Sequence, residues 1–96
     1  MAAPNVLLLA LDPGALLQVR PRLAGDRFPL GPAGHKLVAD ELSDRKLHPV
    51  WRPRIPLLWV DEVLRWITGV RVLAPADRRP PNAVVTLEGP MPWARE

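Results

Sequence analysis

Ninety-six residues carrying 13 basic and 10 acidic side chains form one small domain, too short to bury two independent cores. Apolar content of 48% and charged content of 24% are ordinary for a globular fold. The absence of cysteine excludes a disulfide framework and any thiolate metal site, and points to a reducing, cytoplasmic setting. The apolar run Val6–Leu11 is too short for a membrane span and has no basic stretch before it, which argues against an anchor or a signal peptide. Thirteen prolines each fix φ and remove a donor, so helices have to be short and strands have to end near prolines.

In chain order, residues 5–11 (NVLLLAL) are predicted as a buried strand closed by Asp12-Pro13-Gly14, although a buried helical segment has the same apolar pattern. Gln18–Arg22 alternates polar and apolar and reads as a half-exposed strand. Three glycines and two prolines between Gly25 and Gly34 predict a shaped loop. The spacing then predicts the main helix from His35 to about Asp44, with Leu37, Val38 and Leu42 as its apolar stripe and Lys36–Asp40 as an i,i+4 pair. A short helical turn is expected around Trp51–Arg54, between Pro49 and Pro56. Residues 57–60 (LLWV) and 63–70 (VLRWITGV) read as two strands joined at Asp61-Glu62. Residues 74–82 are expected as a loop, Ala83–Leu87 as the last strand, and the segment from Gly89 as a frayed tail. The class is α+β: a small, mostly antiparallel sheet with one main helix in a single domain, residues 1–96, whose core runs from about 5 to 88.

The net charge of +3 is unevenly spread. Between Arg20 and Arg54 stand eight basic residues (Arg20, Arg22, Arg27, Lys36, Arg45, Lys46, Arg52, Arg54) against four acids, a balance of +4, while the rest of the chain carries five basic and six acidic residues, a balance of −1. Arginine dominates the basic stretch, which suits phosphate recognition; a solvated arginine-rich surface gives the same composition.

From Val19 the chain runs VRPRLAGDRFPLGPAGHKLVADELSDRKLHPVWRPRIPLL. This resembles the C-terminal domain of bacterial tRNA(Ile)-lysidine synthetases, in which a VRPRxxGDRF strand and loop leads into a lysine-bearing helix, then a DRK turn, an RxRxPL segment and a WVxGxR strand. The matching residues include Arg20, Arg22, Gly25, Asp26, Arg27, Phe28, Lys36, Arg45, Lys46, Arg52, Arg54, Trp66, Gly69 and Arg71, and the similarity covers roughly Leu11 to Leu87. The chain departs from the pattern at Phe28-Pro29, where the family often has one more residue, and at Lys36-Leu37, where it often has two lysines.

The resemblance implies a tRNA-binding domain with tRNA as partner, held chiefly around the acceptor stem by the eight basic residues named above. The family is an ATP-dependent ligase that joins lysine to the wobble cytidine of an isoleucine tRNA. Its catalysis resides in an ATP-pyrophosphatase domain with an SGGxDS phosphate loop that does not occur in this sequence. The resemblance therefore implies no catalytic residues and no cofactor in this chain, ATP belonging to that other domain, which is itself a second expected partner.

Each candidate also has a structural reading. Arg20 and Arg22, two apart on a strand, share a face and make a two-pronged phosphate contact or a solvated rim. Asp26 is expected to accept loop N–H groups, and Arg27 to pair with it or with a phosphate. Lys36, placed at a helix N-terminus, opposes the dipole there, which suggests a ligand. Arg45 and Lys46 suit a helix C-terminus as well as RNA, and Arg52 and Arg54 resist burial. Phe28, Leu30, Trp51, Trp59 and Trp66 are expected in the core, each indole finding a partner for its N–H; with one Phe and no Tyr, no base-stacking platform is expected. Two histidines are too few for a metal site.

Two alternatives stand beside the RNA reading. The chain is also compatible with a docking module for a separately encoded catalytic half. An SGNH-type esterase fragment is echoed by DRFPLGPAGHKL, but Pro29 stands where that family's catalytic histidine would be and no GDS nucleophile block occurs.

Overall fold

The computed structural model describes residues 5–32, 34–73 and 79–94. Its elements are β1 (Val6–Leu9), β2 (Leu17–Arg20), β3 (Arg27–Pro29), β4 (His35–Leu37), α1 (Val38–Asp44), a 3-10 turn (Arg52–Arg54), β5 (Leu57–Val60), β6 (Val63–Ile67), β7 (Arg71–Val72) and β8 (Ala83–Thr86). All strand pairs are antiparallel: a four-stranded sheet in the order β2-β5-β6-β7, and two ribbons, β1-β8 and β3-β4. The α+β expectation holds.

The uninterrupted apolar run LLWV forms the centre of the fold, because a strand covered on both faces needs no polar alternation. Leu57 and Trp59 face a core of Phe28, Val38, Leu42, Leu47, Ile55, Leu64 and Ile67 under α1 and the β3-β4 ribbon. Leu58 and Val60 face Leu7, Leu9 and Trp66 under the β1-β8 ribbon. β6 serves both cores through a bulge. Its register with β5 passes from Leu58↔Trp66 to Trp59↔Leu64, leaving Arg65 as the extra residue. Leu64 and Trp66, two apart, would otherwise share a face; the bulge sends them into opposite cores. The β5-β6 turn consists of Asp61 and Glu62, with φ of 48° and 68°, the two left-handed positions of a tight hairpin. Asp61 is tied to β2: its Oδ1 accepts from Leu16 N–H at 3.0 Å, and its own N–H donates to Leu16 O at 2.9 Å.

Several expectations need correction. Helix α1 begins at Val38, not His35, because His35–Leu37 pair with Arg27–Pro29 across the glycine-containing turn, and cross-strand pairing overrides the local helical pattern. Its buried face is Val38, Glu41 and Leu42, not Leu37, Val38 and Leu42, and Lys46 (φ 56°) ends it in a left-handed conformation. The strand predicted over 63–70 stops at Ile67, where a turn through Gly69 reverses the chain into β7. β1 is buried on one face only: Leu8 is 62% exposed, and Leu30 also lies at the surface. Of the loop expected over 74–82, residues 74–78 lie outside the described residues, as do 95–96 of the tail.

The tail is docked, not frayed, over its described part. Trp93 Nε1 donates to Thr68 O at 2.6 Å, and the Trp93 ring lies 6.4 Å from that of Trp51. Gly69 permits this. Its φ is 71°, and a β-carbon there would stand 2.8 Å from Met91 Cε, 2.9 Å from Ala94 Cβ and 3.0 Å from Trp93 Nε1. The methionine tip can move, but Ala94 Cβ is fixed to its backbone. Gly69→Ala should therefore cost about 1–2 kcal/mol for the left-handed conformation alone, lower the melting temperature by about 4–16 °C and expose Trp93 to solvent. Calorimetry and tryptophan fluorescence check this, and an unchanged melting temperature would show that the tail does not hold the turn.

Candidate nucleic-acid interface

The basic residues divide by what they already hold. Arg20, at the end of β2, donates to both Asp26 carboxylate oxygens, at 2.7 and 3.2 Å, and to Pro21 O at 3.1 Å. Its guanidinium carbon lies 4.4 Å from the centre of the Trp59 ring, a cation–π distance. Asp26, not expected to pair with Arg20, also accepts from Leu23 N–H at 2.7 Å. The bond from Arg20 foremost holds the Asp26 carboxyl below its ordinary range against the opposing effect of burial, and the Leu23 bond adds to it. The loop that leads from β2 to β3 is thus closed by its own ion pair.

A second assembly centres on Glu41, whose residue exposure is only 3%. Its carboxylate accepts from Lys36 Nζ at 3.0 Å, Arg45 Nε at 2.8 Å and Arg71 Nη1 at 3.3 Å. Burial pushes this carboxyl up, but the bonds and charges of Lys36 and Arg45 outweigh it and hold the group below its ordinary range. Lys36 also reaches Asp44 at 2.7 Å; Asp44 first and Glu41 second hold its ammonium above the usual lysine value. Lys36 therefore lies on β4, immediately before the helix N-cap Leu37 and not within the helix, bound to two carboxylates, and the pairing with Asp40 expected for it does not occur. Arg45 additionally donates to Val70 O at 3.3 Å, and Arg71 sits 5.3 Å over the Phe28 ring. A buried acid with three cations joins β4, α1 and β7.

What remains differs in kind. Arg27 and Arg54 are exposed and Arg22 is half-buried, and none of the three forms an ion pair among the described residues; the Nε of Arg22 is buried with no acceptor there. Arg52 is half-buried and donates to Leu47 O at 2.8 Å, a neutral partner. The register Arg20↔Leu57 brings the end of β2 beside the start of β5. Arg22 and the 52–54 turn therefore adjoin the same end of the β2-β5 pair, whereas Arg27, on β3, lines a cavity with Gln18, Trp59 and, from the β5-β6 turn, Glu62. Of the other cations, Lys36, Arg45 and Arg71 are held by Glu41 and Arg79 by Asp12, while the Nε of Arg65 is buried with no acceptor among the described residues. Arg71 was missed as a site residue; its partner lies thirty positions away, beyond any local spacing rule. Among the described residues no group of three His, Asp or Glu side chains could hold a metal ion, and no helix is long and apolar enough to cross a membrane.

Fold and surface together define a small α+β domain in which several arginines form no salt bridge among the described residues. The family described as TilS substrate C-terminal domain matches residues 17–88, three quarters of the chain. The chain belongs to that family. A curated relative, the tRNA(Ile)-lysidine synthase of Dehalococcoides mccartyi (strain CBDB1), is 38% identical over 60 residues, which are 62% of this chain and 13% of the relative. The chain thus spans a small fraction of that enzyme's length. A solved structure described as the crystal structure of TILS C-terminal domain superposes with a TM-score of 0.67 at 22% identity, covering 92% of this chain and 75% of the other; at that identity the likeness concerns the fold.

Proposed function

We propose that this domain binds tRNA, gripping the backbone of a helical stem as the C-terminal part of a tRNA(Ile)-lysidine synthetase whose ATP-dependent chemistry resides in another domain. The observation that carries this reading is a set of arginines bound in no salt bridge among the described residues, Arg22, Arg27, Arg52 and Arg54, in a member of this family. Arginine forks suit phosphate oxygens, and an A-form stem presents phosphates and 2′-hydroxyls across a shallow groove. In this reading the domain adds affinity and register, contributes no catalytic residue or cofactor, and acts in the cytoplasm beside its catalytic partner.

Filter binding of an RNA hairpin stem at several salt concentrations tests it. Three to five phosphate contacts, each adding roughly 0.7 to 0.9 to the log–log slope, predict a slope of about −2 to −4. A slope near zero would overturn RNA binding. The docking reading would then gain, and one feature favours it: β2 is a sheet edge with Leu17 44% and Val19 58% exposed, a surface suited to covering by another part of the enzyme.

A further inference from the structure

We infer that the cavity between β2, the Gly25–Arg27 segment and the β5-β6 turn receives one unpaired nucleobase of the bound RNA, stacked on the Arg20 guanidinium. The cavity measures about 310 Å³, at the small end of the roughly 300–1,000 Å³ range of ligand sites. The inference rests on the RNA reading for its ligand but on separate residues for its geometry.

Arg20 is a prepared surface. Trp59 supports one face of its guanidinium at 4.4 Å, and Asp26 with Pro21 O takes three of its five in-plane N–H donors. The side chain keeps 24% exposure, so what it still offers is a flat cationic face, a surface on which bases stack. The absence of tyrosine and the single phenylalanine hid this platform from a reading by residue type; an arginine held flat by an ion pair does the work of an aromatic ring.

The lining selects a base over a phosphate. Arg20 is paired with Asp26, and the lining also holds one cation, Arg27, and one acid, Glu62, so the residues around the cavity carry no net formal charge. An anion would meet the Glu62 carboxylate. A base edge would instead find donors and acceptors together. Gln18 lies two residues before Arg20 on the same strand face, opposite Trp59 in register, and its amide offers both; Glu62 accepts from an exocyclic amine. The Trp59 indole, which also lines the cavity, is 6% exposed, and its buried Nε1–H has no acceptor among the described residues, contrary to expectation for a buried tryptophan.

Two measurements on the wild-type chain decide the matter. In the first, RNA stems carrying one unpaired nucleotide are compared with the same stems made abasic at that nucleotide. The base-bearing stem should bind roughly five- to a hundredfold more tightly, the range for one base stacked on a side chain. Equal affinity for the two stems would overturn the base site while leaving stem binding intact. In the second, the indole N–H resonances are followed by NMR during addition of adenosine 5′-monophosphate or ribose 5-phosphate. A shift of the Trp59 signal with the nucleotide alone supports the site even if stems fail to bind, an outcome that would sink only the stem-binding reading. Equal shifts with both compounds, or none with either, would overturn it.

Discussion

Replacing Glu41 with alanine should be the most damaging single change to the charged residues of this domain, lowering stability by about 2–3 kcal/mol. Removing one partner of a buried charge cluster costs about 3–5 kcal/mol when the others stay buried. Here Lys36, Arg45 and Arg71 keep 25%, 45% and 35% side-chain exposure, so they rehydrate and the loss is smaller. For a domain of this size the melting temperature should fall by about 8–24 °C. Arg71→Leu should cost less by itself, and the Glu41→Ala, Arg71→Leu double variant less than the sum of the two, because they share one interaction. Strict additivity in chemical denaturation would show that the 3.3 Å contact carries no energy.

Two carboxylates, one in each assembly, shape the response to acid. Glu41 and Asp26 both have folded-state pKa values below their ordinary ones. Each therefore contributes stability that is fully present above the unfolded value and is lost as the pH falls through the folded one. The wild-type domain should lose stability progressively below about pH 5, and Glu41→Ala should flatten that acid limb while lowering the plateau at neutral pH. An acid limb of the same slope in the variant would place the titrating carboxylate elsewhere.

The second large effect concerns binding, not folding. The variant Arg22→Gln, Arg27→Gln, Arg54→Gln removes three cations that form no salt bridge among the described residues, while leaving Arg52 on the Leu47 carbonyl. If each meets one phosphate, the log–log salt slope of stem binding should become shallower by about 2 to 3. The melting temperature should fall little from the exposed Arg27 and Arg54, where surface substitutions cost within about 0.5 kcal/mol, any larger loss coming from the half-buried Arg22. Arg45→Gln is the contrasting case. Its guanidinium is spent on Glu41 and Val70, so it should lower stability and leave the slope in place. Reversed outcomes, with Arg45 governing the slope and the triple variant binding normally, would move the interface to the α1 side of the domain.

Much of this architecture is local in origin. LLWV and VLRWI read as strands because β-branched, leucine and tryptophan runs between Pro56 and a glycine turn have few other folds open to them. Asp61-Glu62 is the gap of a hairpin, and the family motifs lie in register along the chain. The 3-10 turn at Arg52–Arg54 follows from prolines that shorten any helix there. The charge concentration between Arg20 and Arg54 is likewise plain in the sequence.

Tertiary structure decided the rest, because each remaining feature depends on residues far apart in the chain. His35–Leu37 has a helical pattern, yet pairing with Arg27–Pro29 makes it a strand and sets Lys36 just before the N-cap of α1 instead of in its first turn. The bulge at Arg65 exists because two cores on opposite faces of β5 both need filling, a demand that no spacing within β6 expresses. Which basic residues remain available to a ligand was settled by acids. Spacing alone makes Arg45 a candidate partner of Glu41, four residues away on one helix. Only folding brings Arg71 to the same carboxylate and lays Arg20 across Trp59, since ion pairs and stacking act over a few ångströms of space whatever their separation in sequence.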